Sequence, residues 1–140
     1  MGLPSAKLRE IVFQFLFCHD FNIAEEKEII KALMYIHKVS KKWAVEALSR
    51  MNQILPHLQE IDEKISFASK DYSIDRIYRA EKNLLRLCVF ELFFDDTIPE
   101  KVAIAEGIRL SRKFSTPESS KFVNAVLDSL YKKSVEENKV

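Results

Sequence analysis

Between Leu84 and Phe94 nine of eleven positions are apolar, broken only by Arg86 and Glu91 and by no Gly or Pro. At about 100° per residue these side chains cover nearly the whole circumference of a helix, the pattern of a helix packed on several sides. The helix-forming stretch Arg79-Ala-Glu-Lys leads in without a turn signal, which disfavours a buried strand. The run is also too short to span a bilayer. It is read as the central helix of an all-α protein. Glu91 shares a face with Leu84, Leu87 and Cys88, where a carboxylate is costly without a partner. A structural pair with a Lys or Arg of another helix is one reading; a catalytic carboxylate is the other.

The flanking patterns predict six to seven helices in all. The first starts at Pro4-Ser5, with Ser5 as N-cap, and runs to about Asp20. One stripe on it holds Leu8, Ile11, Val12, Phe15 and Cys18; a second holds Phe13, Phe17 and Phe21 at i, i+4, i+8. Either both stripes are buried in one fold, or Phe17 and Phe21 stay partly exposed for a protein partner, where aromatic residues are enriched. Asn22-Ile-Ala-Glu25 has the form of a capping box opening a helix to about Lys38. Ser40 caps a third helix, in which Trp43, Ala47, Leu48, Met51 and Leu55 recur at helical spacing. Pro56, with no N–H to donate, kinks or splits that helix. The pattern resumes with Leu58, Ile61, Ile65 and either Phe67 or Ala68, and Ser73 is placed to cap the central helix. Thr97–Glu100 and Ser115–Glu118 are two further start signals with Pro in the first turn. Gly107 falls inside the helix between them, where it costs about 1 kcal/mol relative to Ala, so a close helix neighbour is expected there. The last helix has the cleanest stripe: Phe122, Val123, Val126, Leu127, Leu130 and Tyr131. One domain over residues 1–134 is expected, with a frayed charged tail over 135–140.

Composition narrows the chemistry. Two glycines, at Gly2 and Gly107, leave no phosphate-binding loop and no dinucleotide fingerprint. His19, His37 and His57 do not share a helix face, no Cys pair joins them, and no zinc site follows. His19-Asp20 lacks the further ligands a metal-dependent phosphohydrolase needs, and Asp95-Asp96 reads as a solvated helix end. No nucleophile has a visible base beside it, so a non-enzyme without cofactor or metal is expected. A net charge of +1 excludes a polybasic nucleic-acid binder and leaves only a local patch. Cys18 and Cys88 lie far apart without CxxC spacing, and the N-terminus has no signal-peptide pattern; a reduced, cytoplasmic protein is expected.

Leu84-Leu-Arg-Leu-x-Val-Phe-Glu-Leu, Ile98-Pro-x-Lys-Val-Ala-Ile-x-Glu106, Lys113-Phe and Lys121-Phe-Val-Asn-x-Val-Leu-Asp128 together resemble the NusB family of bacterial transcription antitermination factors. The likeness in order and spacing covers roughly 74–133, with a looser one at Arg9-Glu10 and Gln14–Phe17. It implies two antiparallel three-helix bundles packed together and no cofactor. It also implies binding of the boxA element of ribosomal RNA leader transcripts with ribosomal protein NusE, within an RNA polymerase antitermination complex. Carried over, the RNA face comprises Lys7, Arg9, Lys121, Phe122 and Asn124, and the NusE face Phe17, Phe21 and Glu81. The chain departs from the family at its N-terminus, where the arginine-rich segment is thinned to Lys7 and Arg9. It departs also at Phe17 (usually Tyr), Ser115 and Ala125 (often Gly) and Glu118 (usually Asp). Two alternatives stand beside this reading: a protein-interaction module without RNA binding, and a relative of the helical N-terminal domain of ribosomal RNA methyltransferases, which carry a further α/β domain.

Overall fold

The computed structural model describes residues 5–22, 24–70 and 74–138; the expected cap at Ser73 lies outside them. All regular structure among the described residues is helical. The chain divides into two compact units, Met1–Pro56 and His57–Val140.

The first unit holds α1 (Ser5–Phe21), α2 (Glu26–His37) and α3 (Lys41–Ile54). α1 packs on α3 and α2, and α2 packs on α3. Ile11, Val12, Phe15 and Leu16 of α1 meet a core that includes Leu33 of α2 and Ala44, Ala47, Leu48, Met51 and Ile54 of α3. The helical spacing of these positions puts one apolar face of each helix inward. The buried His37 ring is hydrogen-bonded to the Gln14 side chain, tying α2 to α1. The expected capping box at Asn22–Glu25 is not formed. Glu25 occupies the N-cap position, and Asn22 instead ends α1 with φ 56°, donating its N–H to Cys18 O at 2.8 Å. Asn tolerates the left-handed region better than other non-glycine residues. Lys38 ends α2 in the same way, at φ 53° and ψ 47°, without that advantage.

A 3-10 turn over Leu55–His57, containing Pro56, ends the first unit, and the second opens with α4 (Leu58–Ser69). A second short 3-10 turn, Ile74–Arg76, precedes α5 (Arg79–Phe94), α6 (Glu100–Phe114) and α7 (Pro117–Asn138). α5 packs against α4, α6 and α7 alike, and α7 also packs on α4 and α6. Every residue from Asn83 to Leu92 is accordingly buried, including Arg86 and Glu91. The first unit has the three helices expected of a bundle; the second has α4 beside α5, α6 and α7, because Pro56 divides the preceding pattern. Gly107 is buried in α6: a Cβ added there would lie 3.1 Å from Leu127 Cδ1 and 3.2 Å from Cys88 Sγ, so its missing side chain is what lets α6 approach α5 and α7.

Start signals resolve unequally. α6 is entered from Pro99, not Thr97; Thr97 donates both N–H (3.0 Å) and hydroxyl (2.5 Å) to Asp95 Oδ1 and shapes the turn instead. At the second signal the cap of α7 is Thr116, one residue after Ser115, its Oγ1 accepting the Ser119 N–H at 3.1 Å. α7 continues past Ser134 to Asn138, so residues 135–138 are helical where a frayed tail is expected.

Candidate nucleic-acid and partner interface

The residues singled out for RNA and partner contact fall in both units. In the first, Lys7 lies in the first turn of α1 and Arg9 in the second, both half-buried, and no acidic residue stands in that first turn. Cations at a helix N-terminus oppose the helix dipole, whereas an anion there is favoured. Further along the same helix Phe13, Phe17 and Phe21 form a ladder, with ring centroids 6.5 Å and then 6.0 Å apart. Phe13 is 4% exposed, Phe17 is half-buried and Phe21 is 47% exposed. The second stripe therefore runs from core to surface, and its outer two rings present apolar area to solvent. Cys18, beside Phe17 in sequence, is half-buried, and burial pushes its thiol up from the ordinary range.

In the second unit Lys121 is exposed on α7, while Phe122 and Asn124 are half-buried and Asn124 Oδ1 is buried without a hydrogen-bond partner. The start of α7 is held to α6 by Ser111 Oγ, 3.0 Å from Ser120 Oγ, while Ser115 Oγ closes the end of α6 by donating to Ser111 O at 2.6 Å. These contacts fix the turn of α7 that carries Lys121 and Phe122.

Glu81, expected on the partner face, sits in the first turn of α5 at 5% exposure, and its Oε2 has no hydrogen-bond partner. The carboxylate lines a cavity of about 300 Å³. Arg76, Ile77 and Tyr78 line it from the segment before α5, and Glu118, Ser119 and Phe122 line it from α7. Glu81 and Phe122, expected on two different faces, thus share one cavity. Sequence reasoning missed Arg76, Tyr78 and Ser119. Tyr78 is 76% exposed directly after buried Ile77, and that aromatic, set in a polar joint between helices, is the signal that was there to find. Among the described residues no group of three His, Cys, Asp or Glu side chains is placed to hold a metal ion. No helix among them is long and apolar enough to cross a membrane.

Against known proteins, the NusB family model matches residues 6–132. The transcription antitermination protein NusB of Chlamydia pneumoniae is 38% identical over 91% of this chain and 80% of its own length. Among solved structures, NusB of T. maritima superposes with a TM-score of 0.76 at 32% identity, covering 97% of this chain and 99% of that one. The NusB of a crystal structure of the antitermination factors NusB and NusE in complex with double-stranded RNA superposes with a TM-score of 0.76 at 28% identity, covering 92% and 96%.

Proposed function

The chain belongs to the NusB family, and from that premise we propose that it binds boxA-type single-stranded RNA of ribosomal RNA leader transcripts together with ribosomal protein NusE. In this reading it joins the RNA polymerase antitermination complex in the cytoplasm, as a binding protein and not an enzyme. RNA contact falls to Lys7, Arg9, Lys121, Phe122 and Asn124, and NusE contact to Phe17, Phe21 and Glu81.

The observation that carries the reading is the cavity shared by Glu81 and Phe122. A carboxylate oxygen buried without a hydrogen-bond partner, as Glu81 Oε2 is, is costly in the isolated chain and is relieved by a donor brought from outside. A cation of a protein partner is the natural complement. The exposed Lys121 stands one residue from Phe122 on α7, so a partner seated at Glu81 lies close to a phosphate-contacting position. The half-exposed aromatic ladder of α1 suits a protein surface better than a strand of RNA backbone, because it offers apolar area and no charge. That ladder also favours the second reading, a module that binds protein alone.

A titration with a boxA-like strand and a scrambled strand, with and without NusE, separates the two. Tighter binding of the boxA-like strand when NusE is present supports antitermination. Equal affinity for both strands with NusE bound leaves the protein-interaction module.

A further inference from the structure

The end of α5, the turn into α6 and the last turns of α7 enclose a groove of about 670 Å³ that holds none of the residues assigned to RNA or NusE contact. Leu92, Phe93, Ile98 and Pro99 give it apolar walls. Four carboxylates, Asp95, Asp96, Glu100 and Glu137, stand around these walls against one ammonium in the lining, Lys101, and a second at the edge, Lys64. Asp95 is partly committed to Thr97, but Asp96 and Glu137 face solvent. Among the described residues neither α5 nor α7 carries a basic residue of its own in its last turn, so the negative ends of these two helix dipoles add to the potential around the walls.

The protein itself displays what this lining accepts. Lys64 Nζ stands 4.3 Å from the centroid of the Phe93 ring and 3.7 Å from Glu137 Oε1. An aromatic face and a carboxylate thus already share one ammonium at the groove's edge, an arrangement favourable for Lys or Arg. The apolar walls beside it match the aliphatic stem of such a residue or a neighbouring apolar side chain.

We propose that this groove receives a lysine- or arginine-rich segment of a protein partner, with apolar residues set between the basic ones. RNA does not fit, because its phosphates meet an excess of carboxylates and are repelled. The partner's basic side chains pair with Asp96 and Glu137, and its apolar residues cover Ile98 and Pro99. This surface is independent of the RNA reading, and its test uses no RNA for the primary readout.

The test is an NMR titration of the full chain with a synthetic peptide of alternating Lys and Leu, set against a peptide of alternating Glu and Leu. The expected result is shift changes concentrated at Phe93, Asp96, Ile98, Lys101 and Glu137 with the basic peptide only. In the Asp96→Asn/Glu137→Gln variant the affinity falls about tenfold, the loss of one charge-assisted contact or more. In Lys101→Ala it rises, because a cation that repels the peptide is gone from the lining. Melting temperatures of both variants, compared with the wild type, verify that the fold is intact. Shift changes spread over the whole surface, equal binding of the acidic peptide, unchanged affinity in the double variant, or a polyuridine strand shifting the same resonances would each overturn the proposal.

Discussion

Arg86 of α5 holds Asp62 of α4 with two parallel bonds, Nε to Oδ1 at 2.9 Å and Nη2 to Oδ2 at 2.8 Å. Its third nitrogen donates to Asn83 Oδ1 at 3.2 Å, and Asn83 Nδ2 donates in turn to Arg79 O at 2.9 Å. The charge in the middle of the most buried helix is therefore satisfied at every nitrogen, and the fork geometry sets the rotation of α4 against α5.

Removing one half of this pair strands the other. Asp62→Ala leaves a buried guanidinium without its carboxylate and is expected to cost about 3 kcal/mol; Arg86→Met, which removes the charge and keeps the volume, costs less. Urea unfolding midpoints of the two variants check the order. Equal losses would show that the fork contributes no more than an exposed pair.

Gly107 has two close neighbours on different helices, Leu127 and Cys88. Gly107→Leu overpacks that contact and is expected to lower stability by about 2 kcal/mol. In Gly107→Ala the gain of about 1 kcal/mol in helix propensity works against a smaller clash. Adding Leu127→Ala to Gly107→Leu relieves the overlap, so the double variant is less destabilised than the sum of the singles. Calorimetric melting of the four proteins measures the coupling; strict additivity would mean that the added side chain finds room elsewhere.

Lys38 ends α2 in the left-handed region, in a chain whose two glycines are both placed elsewhere. A side chain there costs roughly 1–2 kcal/mol relative to glycine. Lys38→Gly is expected to stabilise the protein by about 1 kcal/mol, the remainder being offset by the greater freedom of the unfolded chain. A fall in the denaturation midpoint would contradict this account of the helix end.

Legibility in the sequence tracks the range of the interactions involved. The central helix and the tight packing at Gly107 rest on local periodicity and are found where the pattern puts them; the core stripes hold at Ile11, Val12, Phe15, Met51, Val123 and Leu127, whereas Cys18, Trp43, Phe122 and Tyr131 are only half-buried. Caps divide on chemistry: Thr116 closes its own helix, whereas Thr97 is taken by Asp95 two residues earlier, a competition between neighbours that the start signal does not encode. The cavity at Glu81 was not legible. It is made by residues 76–81 and 118–122, brought together only by the packing of α5 on α7. The same packing explains why Glu81 is buried although its sequence neighbours Arg79 and Lys82 read as a polar helix start.

Glu81 carries a prediction of two signs. Glu81→Gln removes a charge buried without a partner at Oε2 and is expected to raise the stability of the isolated chain by about 1 kcal/mol. In the proposed complex the same change is expected to weaken NusE binding by roughly 1–3 kcal/mol, because a cation of the partner would lose its carboxylate. Thermal melting and calorimetric titration of one protein sample give both values. Loss of stability together with unchanged NusE binding would place Glu81 in a purely structural role.

Phosphate contacts release counterions, so the salt dependence of RNA affinity counts them. With Lys7, Arg9, Lys121 and about one neighbour engaged, the slope of log K against log salt for a boxA-like single strand is expected at roughly −2 to −3, at about −0.7 per phosphate. The deciding measurement is that slope for the wild type and for Lys7→Ala/Arg9→Ala, in the presence of NusE, with a scrambled strand beside the boxA-like one. The account predicts preference for the boxA-like strand, and a slope shallower by about 1.4 in the double variant together with weaker binding. An unchanged slope and affinity in that variant, or equal binding of the two strands by the wild type, would contradict it.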